Sequence, residues 1–404
     1  MARLRARKRN HVDISIEDDG REVKSKYFKS ETIVKESDDG TESVSAEDTV
    51  DIEWIKSLNS EEYFEWVSKV TDDRPERWNK PLDPDIFLNR PEGAPPLPEN
   101  FIPIYTRVRL MRSKIRTPVD SVGCAAIPIT VNSQFNISQN QIKPKNYRLQ
   151  LLVALMLSAQ TKDELNAEAM SNLIRYSIDE LDIPEGLTLE ALLRIDEKVL
   201  VDLVKMVGFH NRKAHYVKQT AEILAKQFDS DIPADLVGIL SLPGVGPKMG
   251  LLALQKAWGK MSGIGVDVHV HRLCKMWGWV DAKKCKTADH TRRELESWLP
   301  KALWYEINPL LVGFGQVICM SRGKRCDICL ANDVCNAVDK KLLKTKDAKK
   351  GSHKMPLKSN RGDFSLWLEY LAEKDSSFKI IDEKEVVQPM DEGFAFIKKD
   401  PDEV

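Results

Sequence analysis

The sequence predicts an all-α fold, and three observations carry that reading. Apolar residues recur at three-and-four spacing through most of the stretch from residue 100 to 320, as at Ile104, Val108, Met111 and Ile115, the pattern of one buried helix face. Extended runs are brief, IPITV at 127–131 being the clearest. A Pro-Gly turn joins two apolar helical stretches, LVGILS and MGLLAL, as a helix–hairpin–helix. A chain of 404 residues with 42% hydrophobic content can bury a large core or two medium ones.

Residues 1–50 open with a basic cluster (Arg3, Arg5, Arg7, Lys8, Arg9) and pass into an acidic, Ser-rich stretch that holds too little apolar surface to order itself. They read as a disordered tail. The basic cluster reads as a nuclear address, with the mitochondrion as a second destination that an arginine-rich start could serve. Residues 51–99 carry Trp54, Ile55, Leu58, Phe64, Trp66 and Val67, enough for a docked helical piece, and then a connector rich in proline from Pro81 to Pro98. The catalytic body is expected after it. On the helix from Ile104, residues Arg107, Arg109, Arg112, Lys114 and Arg116 fall on faces other than the apolar one and read as a basic flank. Further helices are expected near 147–158, 162–177, 188–194, 197–207, 212–228, 234–241, 247–259, 268–277, 288–297 and 302–320. Residues 339–404 read as a largely solvated tail with one amphipathic candidate, FSLWLEYLAEK.

The 61 basic and 62 acidic residues leave a net charge of -1, so any nucleic-acid surface must be local rather than a field of the whole molecule. No apolar run is long enough to span a bilayer and the N-terminus has no apolar leader; the expectation is a soluble intracellular monomer without membrane contact. Seven cysteines, four of them crowded between Cys319 and Cys335, argue for a metal site rather than a disulfide framework. Cys124, Cys274 and Cys285 are left as reduced thiols.

The hairpin, residues 236–254, turns on Pro243, Gly244, Val245 and Gly246. Its glycines allow a sharp turn and expose amides that bind a phosphate oxygen at a helix N-terminus, gripping DNA without reading sequence. A tight connection between packed helices is the simpler alternative. Lys248 stands at the start of the second helix, where the dipole and shielding by DNA both disfavour the ammonium form and so suit a nucleophilic amine; a plain phosphate contact is the other reading. Asp267 precedes a helical run that closes at Gly278. It reads as an N-cap whose amide partners also suit a carboxylate that stabilises positive charge or takes a proton.

Cys319, Cys326, Cys329 and Cys335 are spaced C-x6-C-x2-C-x5-C. Zinc sites more usually pair two Cys-x2-Cys knuckles across a longer insert, so one knuckle favours a four-iron, four-sulfur cluster (4Fe–4S). Arg322, Lys324 and Arg325 stand between the first two cysteines as a candidate phosphate clamp.

LPGVGPK, VDVH and the four-cysteine loop, in this order, resemble the endonuclease III family; LLVALMLSAQTKD and VGFHNRKA look like further family segments. The resemblance covers about 100–338, and the run from WGKMSGIG to CKT looks like the fungal nuclear members. It implies two helical domains: a six-helix barrel at 146–262, and a 4Fe–4S cluster domain from 100–145 plus 263–338, with the active site between them. It implies a bifunctional glycosylase and abasic-site lyase acting on duplex DNA that contains oxidised pyrimidines or abasic sites, with Lys248 as nucleophile and Asp267 assisting. Gln160 matches the residue that fills the gap left by the extruded nucleotide, and Phe209 a position that inserts into the base stack. Gly250 departs from the family's more usual alanine. A monofunctional adenine glycosylase of the same superfamily has no need of Lys248, and a silent DNA-binding scaffold has no need of the Lys248–Asp267 pair. In the tail, Lys24, Ser25, Lys26, Tyr27 and Phe28 resemble the short peptide by which fungal repair proteins dock on a MutL-homologue mismatch-repair subunit; packing of the two aromatics on the enzyme's own body is the alternative.

Overall fold

The computed structural model describes residues 50–71, 75–88, 90, 93–348, 358–359 and 362–374. Arg3–Arg9 and the segment from Lys24 to Phe28 lie outside them. The described chain is helical apart from a two-stranded hairpin in which Lys358–Ser359 pairs antiparallel with Gly362–Asp363.

Two hydrophobic cores organise it, and the chain passes between them more than once. The first runs from Ile55, Tyr63 and Phe64 through Val122–Ile142 to Trp258. The second joins Trp78 and the helix Phe101–Arg112 to Ile264–Trp298, the helix Trp304–Val317 and, near the C-terminus, Phe364, Trp367 and Leu368. Residues 51–71 are therefore part of the first core, not an appendage. The stretch from Val122 to Ile142 also packs there, not with the helix Phe101–Arg112 that precedes it. The amphipathic FSLWLEYLAEK forms the helix Ser365–Lys374 with Trp367 and Leu368 fully buried.

Two sequence readings are corrected. IPITV is not extended: Ile127–Ser133 is a helix with Pro128 in its first turn and Ile127 and Val131 buried. Proline at that position suits a helix start, and burial of a helical face overrides the β-preference of branched residues. The basic flank of Phe101–Arg112 is also largely internal. Arg109 bonds Glu306, which also accepts from Tyr105 Oη at 2.8 Å and pairs with Arg77 at 3.2 Å. Arg112, with no exposed surface, pairs with Asp120 at 2.7 Å, and its guanidinium lies 4.9 Å from the centre of the Trp78 ring. Periodicity cannot tell a solvated arginine from one whose carboxylate lies far along the chain.

The first core has a matching buried ion pair. Arg148 donates to both oxygens of Asp231, at 3.1 and 2.5 Å, and its guanidinium packs on Trp258, 4.3 Å from the ring centre, and on Tyr63. Tyr63 in turn donates to Ala257 O at 2.8 Å, which ties the N-terminal helices to the barrel. Removing one partner strands a buried charge. Asp231→Ala should therefore lower unfolding free energy by about 3 kcal/mol or more in a urea titration.

Candidate active site and DNA-facing surface

The hairpin is two helices, Leu236–Ser241 and Pro247–Trp258, joined by the expected turn. Gly244 has φ 75°, and a Cβ there would meet the Tyr216 ring at 2.4 Å, so the turn requires glycine. Around Gly246 the surface is open, with nothing within 4 Å of where a Cβ would stand. Val245 plays a different part: its side chain is buried and its amide donates to Leu242 O at 3.2 Å. It anchors the turn, while Gly244 is exposed and Gly246 partly so. At Gly250 a Cβ would come within 2.9 Å of Ile239, which explains why the smallest residue suits this hairpin.

Lys248 occupies the first turn of the second helix and, among the described residues, hydrogen-bonds and ion-pairs with none. Asp267 caps the helix Val268–Trp277, its Oδ1 accepting from Val270 N at 2.8 Å. The two residues belong to different cores and are brought together by the segment between their helices. Gly265 lies so close to the hairpin's second helix that a Cβ there would meet Leu252 at 2.7 Å. Asn308, from the helix Trp304–Val317, holds the same glycine by donating to its carbonyl at 2.5 Å. Asp267 follows two residues later.

A third ionisable group shares this region. Asp163 opens the helix Asp163–Asp179 and lies within electrostatic reach of both Lys248 and Asp267. Gln316 accepts from Val119 N at 3.1 Å, which turns its amide nitrogen to Asp163 Oδ2 at 2.8 Å. Burial raises the Asp163 carboxyl to about 6, with the Asp267 charge acting in the same direction and the Gln316 bond and Lys248 opposing it. His269 also feels Asp267 and Lys248, is packed against Gly315, and is held below its ordinary value by burial. Sequence reasoning passed over Asp163, although it closes the quoted segment LLVALMLSAQTKD, because a lone aspartate after a turn resembles any other helix start.

The remaining candidates fall on three loops. Gln160 is exposed with φ 53°, and Phe209 is 56% exposed with φ 60° and the Arg212 guanidinium 5.1 Å from its ring centre. These are two large side chains on neighbouring tips. Of the loop cations, Arg325 is clamped by Asp327 at 2.7 Å, Lys324 reaches Ala337 O at 3.4 Å, and Arg322 is exposed. Arg325 keeps 31% of its side chain exposed while paired with Asp327, Lys324 is partly exposed, and Arg322 is the most exposed of the three.

Cys319, Cys326, Cys329 and Cys335 line one cavity with Trp277, Phe314 and Ile318. The four thiols thus face one shared space. Asp339 N approaches Cys326 Sγ at 3.5 Å, and Arg272 donates to Cys319 O at 2.6 Å. Burial pushes Cys319 up to about 11 and Cys329 higher still. These donors and their apolar walls fit a thiolate-bound cluster.

Residues 153–301 match the family model of HhH-GPD superfamily base excision DNA repair proteins. The chain is similar to Endonuclease III homolog 2 of Saccharomyces cerevisiae, 54% identical over 345 residues, which is 84% of this chain and 90% of that one. Endonuclease III homolog 1 of the same yeast is 56% identical over 68% of each chain, and mouse Endonuclease III-like protein 1 is 42% identical over 61% of this chain and 77% of its own. Fold and hairpin define a helix-hairpin-helix DNA glycosylase of base excision repair. The chain belongs to the endonuclease III family.

The raised Asp163 carboxyl makes a signed prediction. The folded state holds this proton more tightly than the unfolded chain, so the carboxylate costs stability above about pH 6 and nothing below about pH 4. Asp163→Asn should melt higher than wild type at pH 7, by up to about 3 kcal/mol, with the gap closing at pH 4. A gap that does not change between the two would show that the carboxyl is not proton-linked to folding.

Proposed function

We propose that this glycosylase is also an abasic-site lyase, that it removes oxidised pyrimidines, and that Lys248 is its nucleophile. The observation that carries the reading is the Lys248 amine, which has no hydrogen-bond or ion-pair partner among the described residues and shares the electrostatic surroundings of Asp163 with Asp267, at the mouth of a hairpin suited to grip the DNA backbone. Such an amine is what covalent chemistry at a sugar carbon requires. A damaged base must leave the stack to be reached, and an oxidised, non-planar ring costs less to extrude. Gln160 and Phe209 enter the duplex behind it, while the hairpin amides and Arg322 hold phosphates.

Lys248 Nζ attacks C1′ and the N-glycosidic bond breaks, its electron pair leaving with the base. Asp267 faces the positive charge that develops at the sugar and accepts the lysine's proton. The product opens to a Schiff base. Loss of the C2′ proton then expels the 3′ phosphate by β-elimination and cuts the strand. Cys319, Cys326, Cys329 and Cys335 would hold a 4Fe–4S cluster, which would fix the loop that carries Arg322; a single Cys-x2-Cys knuckle favours a cluster over a zinc ion. The protein acts as a monomer in the nucleus, with the mitochondrion as a second site, and docks on a MutL homologue through Lys24, Ser25, Lys26, Tyr27 and Phe28. No described helix is long and apolar enough to cross a membrane.

Borohydride should link the wild-type protein covalently to a duplex carrying an oxidised pyrimidine, and Lys248→Ala should bind that duplex without forming the adduct. Equal trapping of both would assign the nucleophile to another amine. Asp267→Asn should fold normally and excise at least about a hundredfold more slowly. For the cluster, purified protein should be yellow-brown with about four irons per chain, and Cys326→Ser should lose iron and colour together. Stoichiometric zinc without iron would overturn that assignment.

A further inference from the structure

We infer that Lys213 is a positioning residue that clips Gln160 and Phe209 into one fixed wedge; the inference rests on the reading above that these two residues enter the duplex. Each sits on its own loop, and each holds a left-handed backbone, φ 53° at Gln160 and φ 60° at Phe209. A residue other than glycine adopts that conformation at a cost and keeps it only where its surroundings impose it. Lys213 supplies that constraint to the Gln160 turn directly and to the Phe209 loop through Thr161. Its Nζ donates to Leu157 O at 2.6 Å, Ala159 O at 2.7 Å and Thr161 Oγ1 at 2.9 Å, gripping the chain on either side of Gln160. Its backbone amide makes the ordinary first bond of the helix His210–Gln227, to Phe209 O at 3.1 Å, so what the side chain adds for Phe209 passes through Thr161.

The two loops are also tied to each other. Thr161 Oγ1 accepts from Gly208 N at 3.3 Å as well as from Lys213. Gly208 comes so near that a Cβ there would meet Gln160 O at 2.9 Å. An ammonium has three N–H donors, and three oxygens take them. Lys213 is buried and ion-pairs with no carboxylate among the described residues, so its charge is committed to these oxygens. Burial lowers it to about 8, which still leaves it protonated at neutral pH. A lysine that did no more than cap the last carbonyls of the helix Pro144–Ser158 would have no need of Thr161 or of the Phe209 loop.

The test uses the full chain and two duplexes. One carries an oxidised pyrimidine beside 2-aminopurine, whose fluorescence rises when the stack is opened; the other carries a preformed abasic site. Lys213→Met should keep wild-type helical circular dichroism and bind undamaged duplex as wild type does. It should lose most of the fluorescence rise, and excision of the paired lesion should fall about a hundredfold, while cleavage at the abasic site, where no base must be displaced, falls by no more than about a tenth of that factor. Equal losses on both duplexes would overturn the proposal, because the lysine would then only support the fold. Should Lys213→Met fail to fold, Thr161→Val decides, with the same split expected and equal effects on the two duplexes overturning it. A Gln160→Ala/Phe209→Ala double variant tests the underlying reading. If it still opens the stack, insertion itself fails; if it does not while Lys213→Met and Thr161→Val do, only the clip fails.

Discussion

Lys248 and Asp267 come from helices rooted in different hydrophobic cores, so the seam between the cores decides whether they meet. That seam is built largely from side chains of one helix, Trp304–Val317, reaching backbone groups of other elements. Tyr305 donates to Gly259 O at 2.9 Å, Asn308 to Gly265 O, and Gln316 joins Val119 N to Asp163. Gln255, on the lysine's helix, returns a bond to Tyr305 O at 3.0 Å. A side chain bonded to backbone fixes the main-chain path itself, and the path from Gly259 to Gly265 delivers Asp267 to the lysine.

The same economy of charge explains how a chain with a net charge of -1 can serve DNA. Arg109, Arg112 and Arg148 are withdrawn from the surface into ion pairs with Glu306, Asp120 and Asp231, where they hold long-range contacts rather than phosphates. The groups proposed to meet DNA are few and local: the hairpin glycines, Gln160 and Phe209 with Arg212 over its ring, and Arg322 on the cysteine loop. A surface of that kind would grip a few phosphates and depend on shape for the rest.

Much of this was legible in the sequence, because the hairpin, the capping aspartate and the cysteine loop are local. A Pro-Gly turn before an apolar helix needs no distant residue to declare itself, and neither does an aspartate ahead of VHVHRLCKMW. The parts that were not legible depend on partners far away. Arg109 meets Glu306 only through the packing of Phe101–Arg112 on Trp304–Val317, so its periodicity suggested a solvated flank. Ile127–Ser133 reads as extended until its buried face is known. Lys213 looked like one more basic residue in VGFHNRKA, since its acceptors lie on a loop some fifty positions earlier in the chain.

Asp163 shows why the site is not tuned for stability alone. Its carboxyl is buried beside a second carboxylate, and desolvation outweighs the help of Lys248 and of the Gln316 bond. Replacing it by a neutral residue would relieve that cost. Lys248 lies within electrostatic reach of Asp163 without forming an ion pair among the described residues. Asp267 is withheld by its cap to Val270 N, and Asp163 by Gln316. Both acids are thus held by other bonds, the arrangement that the proposed nucleophilic role of Lys248 would require.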